Sequence, residues 1–247
     1  MTVERAAELL SSARHGLAVT GAGVSAESGI PTFRGEGGLW TKYDPVKVSS
    51  IDTFLADPEA YWRVSKERGA VALAARPNPG HTALAELEAR GRLAAIVTQN
   101  TDGLHQAAGS RCVIELHGSG RQVECLECHR QEARADVQAR LEVEMPPRCK
   151  SCGSTFLKPT VVLFGEAMPM HAVLAAYEHA ERSDVVLIVG SSLVVYPAAD
   201  VPLAALRNGA RMIVVNAEPT PFDRFANVVI HGRSGEVLPR IAELIDG

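Results

Sequence analysis

The sequence predicts an α/β protein, a parallel sheet covered by helices on both faces and interrupted by two insertions. Three observations carry this. Short runs rich in Val and Ile alternate with helical patterns, as in sheets buried on both sides. Residues 31–56 and 119–158 break that alternation, and the second stretch holds four of the five cysteines as two Cys-x-x-Cys pairs. A chain of 247 residues, 46% hydrophobic and 22% charged, can bury one large globular core and a smaller one.

The chain opens on an acidic amphipathic helix over 3–13, and MTVERAAELL is no targeting sequence. A strand over 17–20 runs into a glycine-rich turn at Gly21. Residues 31–56, rich in Gly, Pro and aromatic residues, are too long for an ordinary βα loop, and such length goes with function. Helices follow over 58–75 and 82–89, and strands over 94–99 and 113–116. Cys112, just before the apolar pair Val113-Ile114, is expected to be a small core residue. The second insertion carries a short charged helix over 135–141. After it come a helix over 170–181, a strand over 185–189 and a helix over 199–208 stopped by Gly209. Strands over 212–216 and 228–231 precede a last helix over 236–245, started by Ser234-Gly235. No apolar run reaches the ~18 residues of a membrane span. A formal net charge of −4 gives no general attraction to nucleic acid or membrane. The cytoplasm is the expected compartment.

Cys125 and Cys128, then twenty residues, then Cys149 and Cys152 supply a tetrahedral S₄ set at zinc-ribbon spacing. All four positions are cysteine and none is left open for water, so the expected metal is one structural zinc ion. The spare reading is a pair of disulfides, which a reducing compartment disfavours. As a nucleic-acid module the insertion lacks a basic face: seven Lys and Arg stand against six Asp and Glu.

Gly21-Ala22-Gly23-Val24-Ser25-Ala26 follows the first strand and fits G-x-G-x-x-G/A, the turn that brings backbone N–H groups to a pyrophosphate at a helix N-terminus. That makes the sheet Rossmann-like. A dehydrogenase would add a second strand ending in an acidic residue ~20 positions on. Gly29-Ile30-Pro31-Thr32-Phe33-Arg34-Gly35 stands there instead, so either the match is accidental or the cofactor is held in another way. Further polar residues close later strands: Gln99, Asn100 and Asp102, then His117, then Gly190, Ser191 and Ser192, then Asn216 and Glu218. The carboxyl edge of an open α/β sheet is where such folds bind ligands. Asn100 and Asp102 suit ribose hydroxyls or an amide, although Asp102 also suits a plain helix cap over 103–108. His117 is an acid–base candidate, since imidazole titrates near neutrality.

With these motifs in order, GAGVSAESGIPTFRG (21–35), TQNTDGLHQAAG (98–109), ELHGS (115–119), the two cysteine pairs, FGEAMP (164–169), GSSLVVYPAA (190–199) and NAEPTPFD (216–223), the chain resembles the sirtuins, NAD-dependent protein deacylases. The resemblance spans nearly the whole chain. It implies a Rossmann-like domain from residues 1–30, 76–118 and 159–247, a cofactor loop with a helical insertion over 31–75, and a zinc-ribbon insertion over 119–158. It also implies NAD as a consumed co-substrate, cleaved at its nicotinamide–ribose bond, with the acyl group passing to ADP-ribose. Carried over by motif, Gly21, Ala22, Gly23, Ala26 and Arg34 belong to the pyrophosphate turn. Ser25, Gln99 and Asn100 meet the nicotinamide ribose, Ile30 and Asp102 line the nicotinamide pocket, and Phe33 shields the reacting carbon. Gly190, Ser191, Ser192, Asn216, Glu218 and Ser234 hold the adenosine half. His117 is the base, with Asn100 beside it in catalysis. An acyl-lysine segment of a protein adds as a strand between Gly165-Glu166 and Val194-Val195-Tyr196, with Val161 taking the acyl amide.

One residue departs from the common deacetylase pattern. Thr32 stands where many have Asp, as in the branch related to desuccinylases. That branch reads an acidic acyl group with Tyr-x-x-Arg, whereas Tyr61 is followed at that spacing by Val64, and Tyr61 and Arg63 lie on different faces of a helix. Neutral acyl groups, acetyl above all, are therefore expected. Mono-ADP-ribosyl transfer to protein is the alternative use of the same NAD cleavage.

Overall fold

The computed structural model describes residues 2–32, 44 and 48–246. Its centre is a six-stranded parallel sheet, ordered β3-β2-β1-β7-β8-β9. The strands are β1 (Gly16–Thr20), β2 (Ala95–Thr98), β3 (Val113–Glu115), β7 (Val185–Val189), β8 (Arg211–Asn216) and β9 (Val228–His231). Period-two alternation puts successive side chains on opposite faces, and here both faces are buried. Ala18, Val185, Leu187 and Val189 pack against α1 (Thr2–Ser11), α4 (Pro79–Ala89) and α9 (Ser234–Asp246). Leu17, Val19, Val186 and Ile188 pack against α7 (Met170–Arg182) and α8 (Asp200–Arg207) on the other face. Burying each such Val, Leu or Ile contributes about 1.5–3 kcal/mol, so neither helical layer is dispensable.

The strand order fixes where a ligand can bind. From β1 the chain moves outward through β2 and β3, then returns to β7 on the other side of β1. The crevice at such a reversal, beyond the carboxyl ends of β1 and β7, is the binding site of open parallel sheets. Here the backbones after the two strands touch. Gly21 N–H donates to Val189 O (3.1 Å) and Gly23 N–H to Gly190 O (2.8 Å). A Cβ on Gly23 would sit 2.7 Å from the Gly190 Cα, and Gly190 itself has φ +58°. The first turn is therefore a 3₁₀ helix over Ala22–Ser28, ended by Gly29 at φ 83°, rather than the α-helix N-terminus that the glycine pattern suggests.

The insertions build a second body. An antiparallel sheet, β5-β4-β6, is made of β4 (Gly118–Cys125), β5 (Gln131–Ala133) and β6 (Leu157–Val161). Its strands are mixed in polarity, and period two does not reveal them in the sequence. Between β5 and β6 lies α6 (Arg134–Arg140). The first insertion gives α2 (Ile51–Ala56) and α3 (Pro58–Ala74), started by Ser50 and Asp57 side chains that accept from Thr53 N–H and Ala60 N–H. Phe54, Tyr61 and Trp62 from these helices share one core with Val123, Val137, Leu141 and Leu157. Trp62 Nε1 donates to Leu157 O (2.9 Å), and the Arg134 guanidinium lies 4.6 Å over its ring. Two insertions far apart in sequence thus fold as one small module.

Three expectations change in detail. Helix α4 begins at Pro79, not 82, because Asn78 caps it and Pro suits its first turn. Residues 103–108 contain the short α5 (Leu104–Ala107), and Asp102 Oδ1 caps it at 2.9 Å from Leu104 N. Cys112 is half-buried rather than internal, with Sγ 3.9 Å from His179 Nε2. Among the described residues no helix is long and apolar enough to cross a membrane.

If the seam between Gly23 and Gly190 sets the geometry of this edge, Gly190→Ala should cost about 2 kcal/mol or more, through a positive φ and a Cβ driven into the Val24 and Gly23 backbone. Urea unfolding of the two proteins measures it.

Candidate active site and metal centre

Five side chains from three segments, the turn after β1, the loop after β2 and the start of α4, meet at the edge beyond β1 and β2. Ser25 Oγ donates to Asp102 Oδ2 (2.7 Å) and accepts from Asn100 Nδ2 (3.1 Å), with His81 Nε2 at 3.4 Å. Asn100 is buried; its Nδ2 also donates to Gly21 O (3.1 Å) and its backbone N–H to Thr98 Oγ1 (3.0 Å). Asp102 serves both of the roles open to it, since one oxygen caps α5 and the other holds Ser25. Asn78 ties the turn from behind, donating through Nδ2 to Val24 O (2.7 Å) and Ser28 Oγ (3.0 Å). Its backbone N–H meets His81 Nδ1 (3.4 Å), so His81 presents Nε2–H toward Ser25.

Behind this group a second polar chain is sealed in the core. Thr20 Oγ1 donates to Thr98 Oγ1 (2.8 Å) and lies 2.9 Å from His105 Nε2. The His105 ring rests 4.9 Å from that of His81. Burial, and then the neighbouring His81, push His105 down to about 3, while burial lowers His81 against the carboxylates of Asp102 and Glu27. Neither imidazole carries charge near neutrality. Asn78, His81, His105 and Thr20 were not among the candidates from sequence; the helix-start signal Asn78-Pro79-Gly80-His81 was the available clue.

His117 follows β3 and is half-buried. Its Nδ1 lies 3.0 Å from Gln99 O, so a carbonyl acceptor assigns the proton to Nδ1 and leaves Nε2 as the basic nitrogen. Burial holds the ring below the ordinary histidine range of 6.5, against the Gln99 hydrogen bond. Gln99 Nε2 donates to Ser191 Oγ (2.9 Å), linking the end of β2 to the end of β7 across β1. The adenosine-side candidates are braced as well: Asn216 Nδ2 donates to Glu218 O (2.6 Å), and Ser234 Oγ and Gly235 N–H both donate to Glu27 Oε2 (3.4 and 2.8 Å). Ala22, Gly23 and Ile30 are partly exposed, and Ala26 and Ser192 are exposed. Phe33 and Arg34 lie outside the described residues.

Two further segments carry the residues expected to meet the acyl-lysine peptide. In one, Phe164 N–H donates to Ser49 O (2.9 Å) and Phe164 O accepts from Ile51 N–H (3.0 Å), with Gly165 at φ 90°. In the other, Val194 and Tyr196 are 46% and 63% exposed. The buried Leu193 before them has φ 52°, strain of the kind stored at functional sites. Val161 and Glu166 lie at the base of the first segment.

The four cysteines converge. Sγ atoms are 3.6 Å apart in the pairs Cys125–Cys152 and Cys128–Cys149, and all four lie within 4.8 Å of one another. A disulfide needs about 2.05 Å, whereas ligands about 2.3 Å from a tetrahedral zinc stand about 3.8 Å apart. The donor set therefore fits a closed structural zinc site.

Sheet, glycine seam and thiolate cluster define a dinucleotide-type α/β protein with a side module that carries a four-cysteine zinc-ribbon-like site. The chain belongs to the Sir2 family, whose model matches residues 21–197. It is 52% identical over 241 residues to NAD-dependent protein deacylase 2 of Archaeoglobus fulgidus, covering 98% of this chain and 95% of that one. A Sir2 variant solved with a deacetylated p53 peptide and 3′-O-acetyl ADP ribose has TM-score 0.94 at 40% identity, covering 98% of each chain. A Sir2 protein bound to a myristoylated histone peptide has TM-score 0.85 at 42% identity, covering 99% of this chain and 96% of that one.

Three outcomes follow from this geometry. His117→Ala should lower turnover by about 10²–10⁴-fold with NAD affinity nearly unchanged. If His117 is the base, kcat/KM of the parent protein should fall on acidification through a midpoint below the ordinary histidine value of 6.5, because burial depresses the ring's pKa and only the neutral ring accepts a proton. Metal analysis should find one zinc per chain; its chelation should unfold residues 119–158 and abolish activity indirectly, readable as lost protease resistance in that segment.

Proposed function

We propose that this protein is an NAD-dependent protein-lysine deacylase, which cleaves NAD to nicotinamide and moves the acyl group to ADP-ribose, freeing the lysine. The observation that carries this is the placement of His117, with Nε2 left basic, at the same sheet edge as the Ser25–Asn100–Asp102 group. The glycine turn would take the pyrophosphate, Ser191, Asn216, Glu218 and Ser234 the adenosine half, and Ser25, Gln99 and Asn100 the reacting ribose. Loss of neutral nicotinamide leaves an electron-poor ribose carbon that water would waste. Ile30, partly exposed beside the glycine turn, would help exclude water, and a positioned acyl oxygen attacks instead. His117 then deprotonates a ribose hydroxyl, which attacks the acyl carbon; the lysine nitrogen leaves that carbon as the amine, taking up a proton, and water restores the C1′ hydroxyl, so the acyl group stays as an ester on the ribose. The acyl-lysine segment lies between Gly165-Glu166 and Val194-Tyr196, with Val161 at the acyl amide. Related Sir2 proteins solved with p53 and histone peptides support that reading. The cytoplasm is our proposed compartment.

The proposed acyl preference is neutral. A carboxylate in an apolar tunnel lacks its water and needs a cationic partner, at a penalty of several kcal/mol without one. Arg63 is spent on Glu59 at the exposed surface, and Tyr61 is buried in the module core. Arg68 lies elsewhere on α3, with Nη1 3.3 Å from Ser49 Oγ. Acetyl-peptide should therefore be consumed with kcat/KM at least about tenfold above the succinyl form, strictly dependent on NAD. A succinyl preference would reverse the assignment and make Arg68→Met the next variant to examine.

A further inference from the structure

Lys158 is a buried charge that the proposed chemistry leaves unused. It sits in β6 with its side chain 9% exposed, between Leu157 of the module core and Pro159. Its Nζ donates to Val161 O (2.8 Å), Pro159 O (3.2 Å) and Glu166 Oε2 (2.9 Å), so each of its three protons has an acceptor. Two of those acceptors belong to residues assigned above to the acyl-lysine segment. The same Glu166 oxygen accepts from Leu163 N–H (2.8 Å), while Glu166 N–H returns to Leu163 O (3.0 Å). The turn from Leu163 to Glu166 is thereby closed at both ends, and its outer side is braced on Ser49 and Ile51.

Stability alone does not account for a lysine here. A buried ion pair is often matched or bettered by an apolar side chain of similar volume, because desolvating the charges offsets their attraction. Methionine would fill the same space beside the apolar core. What methionine cannot do is fix two acceptors that are five residues apart.

We infer that Lys158 is a positioning residue for the acyl-lysine peptide, holding the Val161 carbonyl and the Glu166 turn in register so that the substrate strand and its acyl amide are received together. The inference rests on the deacylase reading above. Its mechanism is geometric: with the ammonium gone, Glu166 loses its tie to β6, and the turn that forms one side of the peptide cleft moves independently of the strand bearing Val161. The NAD side of the site, attached to β1, β2 and β7, has no contact with Lys158 among the hydrogen bonds of its side chain.

The test is a steady-state comparison of the parent protein with Lys158→Met and Lys158→Arg, varying acetyl-peptide and NAD separately. Lys158→Met should raise the peptide KM about tenfold or more and leave the KM for NAD within about twofold; Lys158→Arg should recover most of the loss. If Lys158→Met does not fold, Lys158→Gln carries the same expectation, since it retains donors without the charge or the reach. An unchanged peptide KM, or equal rises for peptide and NAD, would overturn the positioning role. A parent protein that releases no lysine from any acyl-peptide would instead overturn the deacylase reading beneath it.

Discussion

Backbone contact between the turn after β1 and the turn after β7 is the constraint on which the remaining structure depends. A Cβ at Gly23 or Gly190 would enter the opposite backbone, so these turns close only as glycine. Their closure puts Ser25 where Asn100 and Asp102 can reach it, and it draws Ser191 to Gln99 across the top of β1. Gln99 in turn supplies the carbonyl that fixes the His117 tautomer. One steric requirement at a strand reversal therefore propagates, bond by bond, to the basic nitrogen of the site.

The site is pre-formed largely by polar groups that a ligand need not touch. Thr98, Thr20 and His105 are buried in a chain that ends on the Asn100 backbone. Such networks hold geometry when satisfied and are costly when partly satisfied. Here His105 Nδ1 has no hydrogen-bond partner among the described residues, and burial keeps the ring neutral. Below the histidine range the unfolded chain gains protons that folded His105 and His81 refuse, so native stability falls as the solution is acidified.

Parts of this arrangement were legible in the sequence for simple reasons. Val-rich runs such as Val185–Val189 are buried on both faces, and their alternation with helical patterns is the signature of a covered parallel sheet. Polar residues at strand ends and the paired cysteines have fixed spacing, so local sequence suffices. Strands β4 to β6 are not legible because polar and apolar residues are mixed along them, with glycine in β4 and proline in β6 breaking any alternation. His81 and His105 were missed for a different reason. Their importance is relational, set by Ser25 and Thr20 far away in the chain. Lys158 looked like one of seven scattered cations in the zinc insertion until its three acceptors were placed. The sharing of one core by residues 51–74 and the zinc segment has no local signature at all.

The most direct measurement is the fate of the acyl group. Incubation with NAD and an acetyl-lysine peptide, followed by mass spectrometry, should give nicotinamide, free lysine peptide and ADP-ribose carrying the acetyl group in equal amounts. Free acetate formed without NAD consumption, or ADP-ribose attached to protein while the peptide keeps its acetyl group, would contradict the account.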